Sequence, residues 1–146
     1  MQTLTKSILI RASLEKVWGI LADIRRMPEW VDGVKESERT GEIAEGKGFR
    51  WRESSELGRQ CIEAENEMIV WEPMSRAVIQ SKLPMNGVMT RTHDFEACSE
   101  GTRVKIEVAW DLGIAGMILG EAKIRAILDE SFENTLANWK ERAEVS

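Results

Sequence analysis

The chain has no tyrosine, one histidine and two cysteines among 146 residues, and each shortage removes a class of chemistry. Without a phenol, enolising reactions that depend on one are excluded. A single histidine, His93, with Cys61 and Cys98 at no ligand spacing, offers no metal cluster. No Ser/His/Asp arrangement and no phosphate-cradling glycine loop can be assembled, so no cofactor is implied. Two isolated thiols fit a reducing compartment without a bridge. Basic charge is also short. Lys and Arg number 20 against 25 Asp and Glu, a net charge of -5, so nucleic acid is not expected as a partner, because phosphate binding needs a basic face. No apolar run approaches the roughly 20 residues of a membrane-spanning helix, and no integral membrane segment is expected. The opening "MQTLTKSILIRAS" lacks a basic region ahead of a long apolar stretch, so no signal peptide is expected and the reading is of a cytoplasmic protein.

What is present is an ordinary globular composition, 42% hydrophobic and 31% charged, with no repeat, low-complexity tract or linker. One domain over 1–146 is expected. "LTKSILIR" (4–11) reads as a strand. Ser13 then caps "LEKVWGILADI", where Leu14, Val17, Trp18 and Leu21 recur at helical spacing. Pro28 ends or restarts that helix, and "PEWVDG" forms a short second one closed by Asp32-Gly33, with Trp30 and Val31 as its hydrophobic closure. From Val34 to Leu112 strands alternate with breaks at 41–48, 57–58, 72–75, 84–88 and 98–101. Residues 114–142 read as one long helix with Met117, Ile124, Leu128, Phe132, Leu136 and Trp139 along one stripe. That helix opens on glycines at 113, 116 and 120, each about 1 kcal/mol worse than alanine inside a helix.

Cross-strand charge pairs gain about 0.2–1 kcal/mol when opposite, and like charges lose, so charge sets an expected register. A turn around Leu57-Gly58 places Glu56 against Arg59, Arg52 against Glu63 and Arg50 against Glu65. The 72–75 turn places Glu65 against Lys82. A five-residue loop at 84–88 places Arg76 against Glu96. The 98–101 turn places Glu96 against Arg103 and Asp94 against Lys105. For the second strand, "VKESERTG", the charges fit more than one register. The other face then carries the rows Val70–Ala77–Phe95–Val104, Met68–Ile79–His93–Ile106, Phe49–Asn66–Ser81–Arg91–Val108 and Trp51–Ala64–Leu83–Met89–Trp110. Most are core residues, as for a sheet covered on one side. One row is polar. Asn66, Ser81 and Arg91 lie together, with His93 one row away and Glu53 beyond Trp51. The long helix must cover this face. Packed flush, it strands an arginine unless Arg91 pairs with Glu121 or Glu53. The alternative is incomplete closure, leaving a cavity for water or a ligand.

The order of strand, two short helices, six antiparallel strands and a long C-terminal helix resembles the helix-grip fold of the START/Bet v 1-like (SRPBCC) superfamily. The polyketide cyclase/dehydrase and lipid-transport branch is the nearest resemblance. It is carried by "ILIRASLEKVWGILADIRRMPEWVDGV" (8–34), "VWEPMSRAVIQ" (70–80), "GTRVKIEVAW" (101–110) and the final helix with its Leu and Trp. The resemblance spans the whole chain and implies an α+β domain: a seven-stranded antiparallel sheet curved around the C-terminal helix and enclosing a hydrophobic cavity. It implies binding of lipids, sterols, polyketides, hormones or quinones, with catalysis in only some members and no family-wide catalytic residue to transfer. "GIAGMILGE" then falls at the cavity mouth, where glycines let a segment move to admit a ligand; close packing on a neighbour is the plainer use.

Three functions follow as expectations. The first is a carrier of a hydrophobic small molecule, a lipid, polyketide or isoprenoid-like compound. Its apolar body would lie on Phe49, Trp51, Met68, Ile79, Leu83, Met89, Phe95, Ile106, Val108, Trp110, Met117, Ile124 and Leu128. Its polar end would meet Asn66, Ser81, Arg91 and His93. Met85, Met89 and Met117 are expected near the mouth, where thioethers adapt to varied shapes. The second is a cyclase/aromatase-type enzyme in which Arg91 polarises a carbonyl and His93, Glu53 or Glu121 moves protons. The third is a chaperone-activator-like interaction module, signalled by a filled core and an exposed apolar patch.

Overall fold

The alternating patterns resolve into one antiparallel sheet and a long helix laid across it. The computed structural model describes every residue except Gly58 and Ser146. β1 (Gln2–Ile10) leads into α1 (Leu14–Ala22), whose first turn is closed by the Ser13 hydroxyl accepting from the Lys16 amide at 3.2 Å, the role expected of a serine cap. A 3-10 helix spans Ile24–Glu29. Pro28 lies inside it rather than starting a new helix, and Trp30 closes it, buried against the core. Six strands follow: β2 (Val34–Arg39), β3 (Arg50–Leu57), β4 (Gln60–Glu72), β5 (Arg76–Leu83), β6 (Gly87–Cys98) and β7 (Gly101–Asp111). The sheet order is β1-β7-β6-β5-β4-β3-β2, so β1 and β2 form its edges.

The C-terminal segment departs from the expected single helix. It forms α2 (Ile114–Leu119) and α3 (Glu121–Glu144), broken at Gly120 with φ +86° and ψ 130°. Only glycine takes such a conformation without strain. The periodic spacing resumes after the break, so the sequence reads as continuous while the backbone turns. As a result Met117 leaves the inward stripe and is 85% exposed, with Ile118 at 72%. The remaining stripe is as expected: Ile124, Leu128, Phe132, Leu136 and Trp139 are buried, joined by Thr135 and Ala143.

α3 is fastened to the sheet at both ends of its buried face. Lys6 on β1 meets Asp129 at 2.6 Å and Glu133 at 2.7 Å, and these hydrogen bonds raise its pKa. Arg125 donates to the Thr3 carbonyl at 2.9 Å and lies 5.2 Å from the Trp110 ring centroid. Trp139 is fully buried and donates to the Val17 carbonyl at 3.2 Å. Its ring packs against Trp30 at 4.9 Å and Phe95 at 5.6 Å.

Three strand pairings differ from the charge-based register. β6 and β7 pair as expected, including Asp94–Lys105 and Glu96–Arg103, and Glu65 does face Lys82. β5 and β6 are offset by two residues: the connection contracts to Pro84–Asn86, so Leu83 pairs with Gly87 and Arg76 with Asp94, at 2.6 Å, instead of Glu96. β3 and β4 are also offset by two. Their hairpin closes on Leu57 and Gln60, its turn including Gly58 outside the described residues, and Arg50 pairs with Glu67 and Glu56 with Cys61. Arg52 still reaches Glu63, diagonally, at 3.1 Å. A slip of two preserves which face each side chain takes, so the alternation survives. A bulge between Met68 and Val70 does change faces, setting Trp71 rather than Val70 opposite Ala77. The wider ring then packs on Trp18 at 4.9 Å.

Candidate ligand-binding site

The period of two along β3 to β6 turns Glu53, Asn66, Ser81, Arg91 and His93 to the concave face, and all five are buried. The register slips set Arg91 opposite Ile79 rather than Ser81, so the expected row is broken and Arg91 lies diagonal to Ser81, and they bring Glu53 closer to Asn66 than expected. Asn66 Nδ2 donates to Glu53 Oε2 at 3.0 Å. Ser81 Oγ donates to Asn66 Oδ1 at 2.5 Å. Arg91 Nη2 reaches Ser81 Oγ at 3.3 Å and Asn66 Oδ1 at 3.5 Å, and pairs with Glu53 Oε2 at 3.6 Å. Glu53 also accepts from Trp51 Nε1 at 3.4 Å and Ser55 Oγ at 3.3 Å. Of the two proposed partners, Glu53 is therefore the one that meets Arg91. Glu121 goes elsewhere. Expected on the buried stripe, it is exposed at the start of α3, and its carboxylate accepts from Trp110 Nε1 at 3.3 Å. A Cβ at Gly116 would lie 2.7 Å from Glu121 Oε1, so the missing side chain admits that carboxylate.

His93 is enclosed by protein, with Nδ1 3.3 Å from the Ala77 carbonyl. A carbonyl only accepts, so the proton sits on Nδ1. Burial, reinforced by the Arg91 charge, lowers its pKa from 6.5 to about 3 against the raising effects of Ala77 and Asp94. One polar atom of the group has no partner: Arg91 Nε is fully buried and unbonded, and among the described residues Trp30 Nε1 is in the same condition.

The apolar candidates are mostly interior. Trp51, Met68, Ile79, Ile106, Val108 and Trp110 are at most 1% exposed, and Phe49, Met89, Phe95, Ile124 and Leu128 are buried. Leu83 is half-buried. Met117 faces outward, and Met85 is 58% exposed. Two hollows lie away from where the cavity was expected. One, about 190 Å³, lies beside α1 and is lined by Glu15, Gly19, Asp23, Arg26 and Arg142. The other, about 510 Å³, lies between residues 11–15 and 97–101. Neither touches the polar group, which is packed under α3. The donors that hold Glu53 were not anticipated. Their signal is spacing: Trp51, Glu53 and Ser55 are two residues apart and share one strand face.

A curved seven-stranded antiparallel sheet gripping a long C-terminal helix, with two short helical segments after the first strand, defines the helix-grip class of the START/Bet v 1-like superfamily. Within it the chain belongs to the polyketide cyclase/dehydrase and lipid transport family, whose model matches residues 1–144. A protein from Thermus thermophilus is 21% identical at a TM-score of 0.82, covering 97% of each chain. A START superfamily protein from Mycobacterium smegmatis is 13% identical at 0.79, covering 97% of each. The Zhui aromatase/cyclase from Streptomyces sp. R1128 is 15% identical at 0.77, covering 98% of this chain and 93% of its own. Likeness at these identities shows the shared fold. No curated protein matches the chain in sequence. Among the described residues no helix is long and apolar enough to cross a membrane.

Proposed function

We propose that this protein binds a hydrophobic small molecule, a lipid, polyketide or isoprenoid-like compound, between the sheet and α3, with its polar end at Arg91. The observation that supports this reading best is the unpartnered Nε of Arg91, buried on the concave face. A buried donor without an acceptor costs about 1–3 kcal/mol, and a ligand oxygen relieves it. The apolar body would rest on residues such as Met68, Ile79, Ile106 and Val108. Space for it requires movement, and α2 is the segment suited to move: Gly113 and Gly120 bound it, and Gly116 is its one buried residue. The packed state is then the closed form.

A cyclase would need His93 or a glutamate to exchange protons. A histidine with a pKa of about 3 is poorly matched to that work near neutral pH, which leaves the role in that reading to Glu53 or Glu121. Native mass spectrometry of protein purified from its host is the test. A co-purified small molecule supports the reading. Bare protein that also fails to bind any apolar probe in calorimetry overturns it. Arg91→Ala, if folded, is expected to weaken binding of a carbonyl-bearing ligand by about 1–3 kcal/mol.

One observation favours a second reading, an interaction module. Ile114, Met117, Ile118 and Leu119 are 40–85% exposed on α2 while the inner face is packed, and such a patch marks contact surfaces. That reading expects Met117→Asp to abolish partner binding without affecting small molecules.

A further inference from the structure

We infer that the ligand's polar end is an uncharged acceptor, a carbonyl-type oxygen rather than a carboxylate, because Glu53 already balances the buried charge of Arg91. The inference rests on the binding reading above and narrows it to a class of ligand.

The charge inventory of the polar group is short. Arg91 supplies one positive charge and Glu53 one negative, 3.6 Å apart, with both side chains 8% exposed. Asn66 and Ser81 are neutral, and His93 donates to Ala77 in its neutral form. The pair is thus complete as charge but incomplete as hydrogen bonding. Three neutral donors, from Trp51, Ser55 and Asn66, hold Glu53 in place, so it is fixed beside Arg91 rather than free to swing away. A carboxylate docking on Arg91 would put a second anion beside the buried Glu53, where like charges repel strongly and desolvation is unrecovered. A ketone, ester or quinone oxygen accepts the Nε proton and leaves the balance untouched.

A second observation points the same way. Among the described residues, the two fully buried side-chain nitrogen or oxygen atoms without partners are Arg91 Nε and Trp30 Nε1. Both are donors. Trp30 lies 4.9 Å from Trp139, whose ring is 6.3 Å from His93, two residues along β6 from Arg91. Each of these two atoms calls for an acceptor. A molecule with one or more carbonyl oxygens and no ionised group supplies it.

The test compares matched probes by calorimetry at pH 7.5: 2-acetylnaphthalene, 2-naphthoate and 2-ethylnaphthalene, with 2-tridecanone and dodecanoate as a chain-like pair. Each ketone is expected to bind at least ten-fold more tightly than its carboxylate, and acetylnaphthalene several-fold more tightly than the ethyl isostere. Glu53→Gln is expected to narrow or reverse the ketone-to-carboxylate ratio. Without any variant, affinity for naphthoate is expected to rise as pH falls toward 5 and the neutral fraction of the acid grows, with the ketone as internal control. Carboxylates binding as well as ketones, or an isostere equal to the ketone, overturns the inference and leaves the binding reading standing. Absence of binding by all five probes overturns both.

Discussion

His93 has one ring proton to place, and it is buried with the Ala77 carbonyl beside Nδ1. Above pH 6.5 the imidazole is neutral in folded and unfolded chains alike and contributes nothing to pH dependence. Below that, the unfolded chain takes up a proton that the folded chain refuses down to about pH 3. Stability therefore falls as pH falls from 6.5 toward 3, by about 1.4 kcal/mol per unit from this group at most. Urea unfolding at pH 7 and pH 5 is expected to give a loss of about 2 kcal/mol that His93→Gln largely removes from the difference. Arg91 behaves oppositely, as half of a pair. Arg91→Met leaves Glu53 buried without its counter-charge and is expected to lose about 3 kcal/mol. Adding Glu53→Gln should recover part of that loss, measured as a double-mutant cycle. Alternation made the inward direction of Arg91, His93, Asn66 and Ser81 legible in the sequence. Which carboxylate meets Arg91 was not, because it depends on two strand offsets that leave face parity unchanged.

At the scale of elements, face is cheap to read and register is dear. The β6–β7 pairing followed from charge because a tight turn at 99–100 leaves little latitude. The β5–β6 pairing did not, because Met85 and Asn86 adopt positive φ, 61° and 62°, and contract the loop that charge alone allowed to be longer. The α2–α3 break was hidden for a similar reason: the spacing before and after Gly120 is helical, and only its dihedrals betray the turn. Gly120→Ala meets no atom within 4 Å, so its cost is conformational, about 1 kcal/mol or somewhat more by chemical denaturation. Amide exchange at 114–119 is expected to be faster than at 124–139, where the stripe is buried. Trp139→Ala removes the ring at the junction of α1, α3 and β6 and should destabilise by about 3–5 kcal/mol.

At the scale of the whole molecule, closure and function are one question. A ligand seated under α3 would be covered by α2, so the binding reading expects a bound probe to slow exchange at 114–119 while the β1–α3 fastening is unchanged. Unaltered exchange there on saturation with a tight probe would place admission at another part of the shell. The outer boundary of the sheet carries its own consequence. β2 closes one margin, and Lys35, Glu36, Glu38 and Arg39 stand exposed along it, with Ser37 tied to the Ile24 carbonyl at 3.2 Å. A strand from a neighbouring copy attempting to extend the ladder would have to lie beside charges of both signs, a barrier to fibril-like growth. If α2 moves to admit a ligand, this margin of the backbone still offers no template for aggregation.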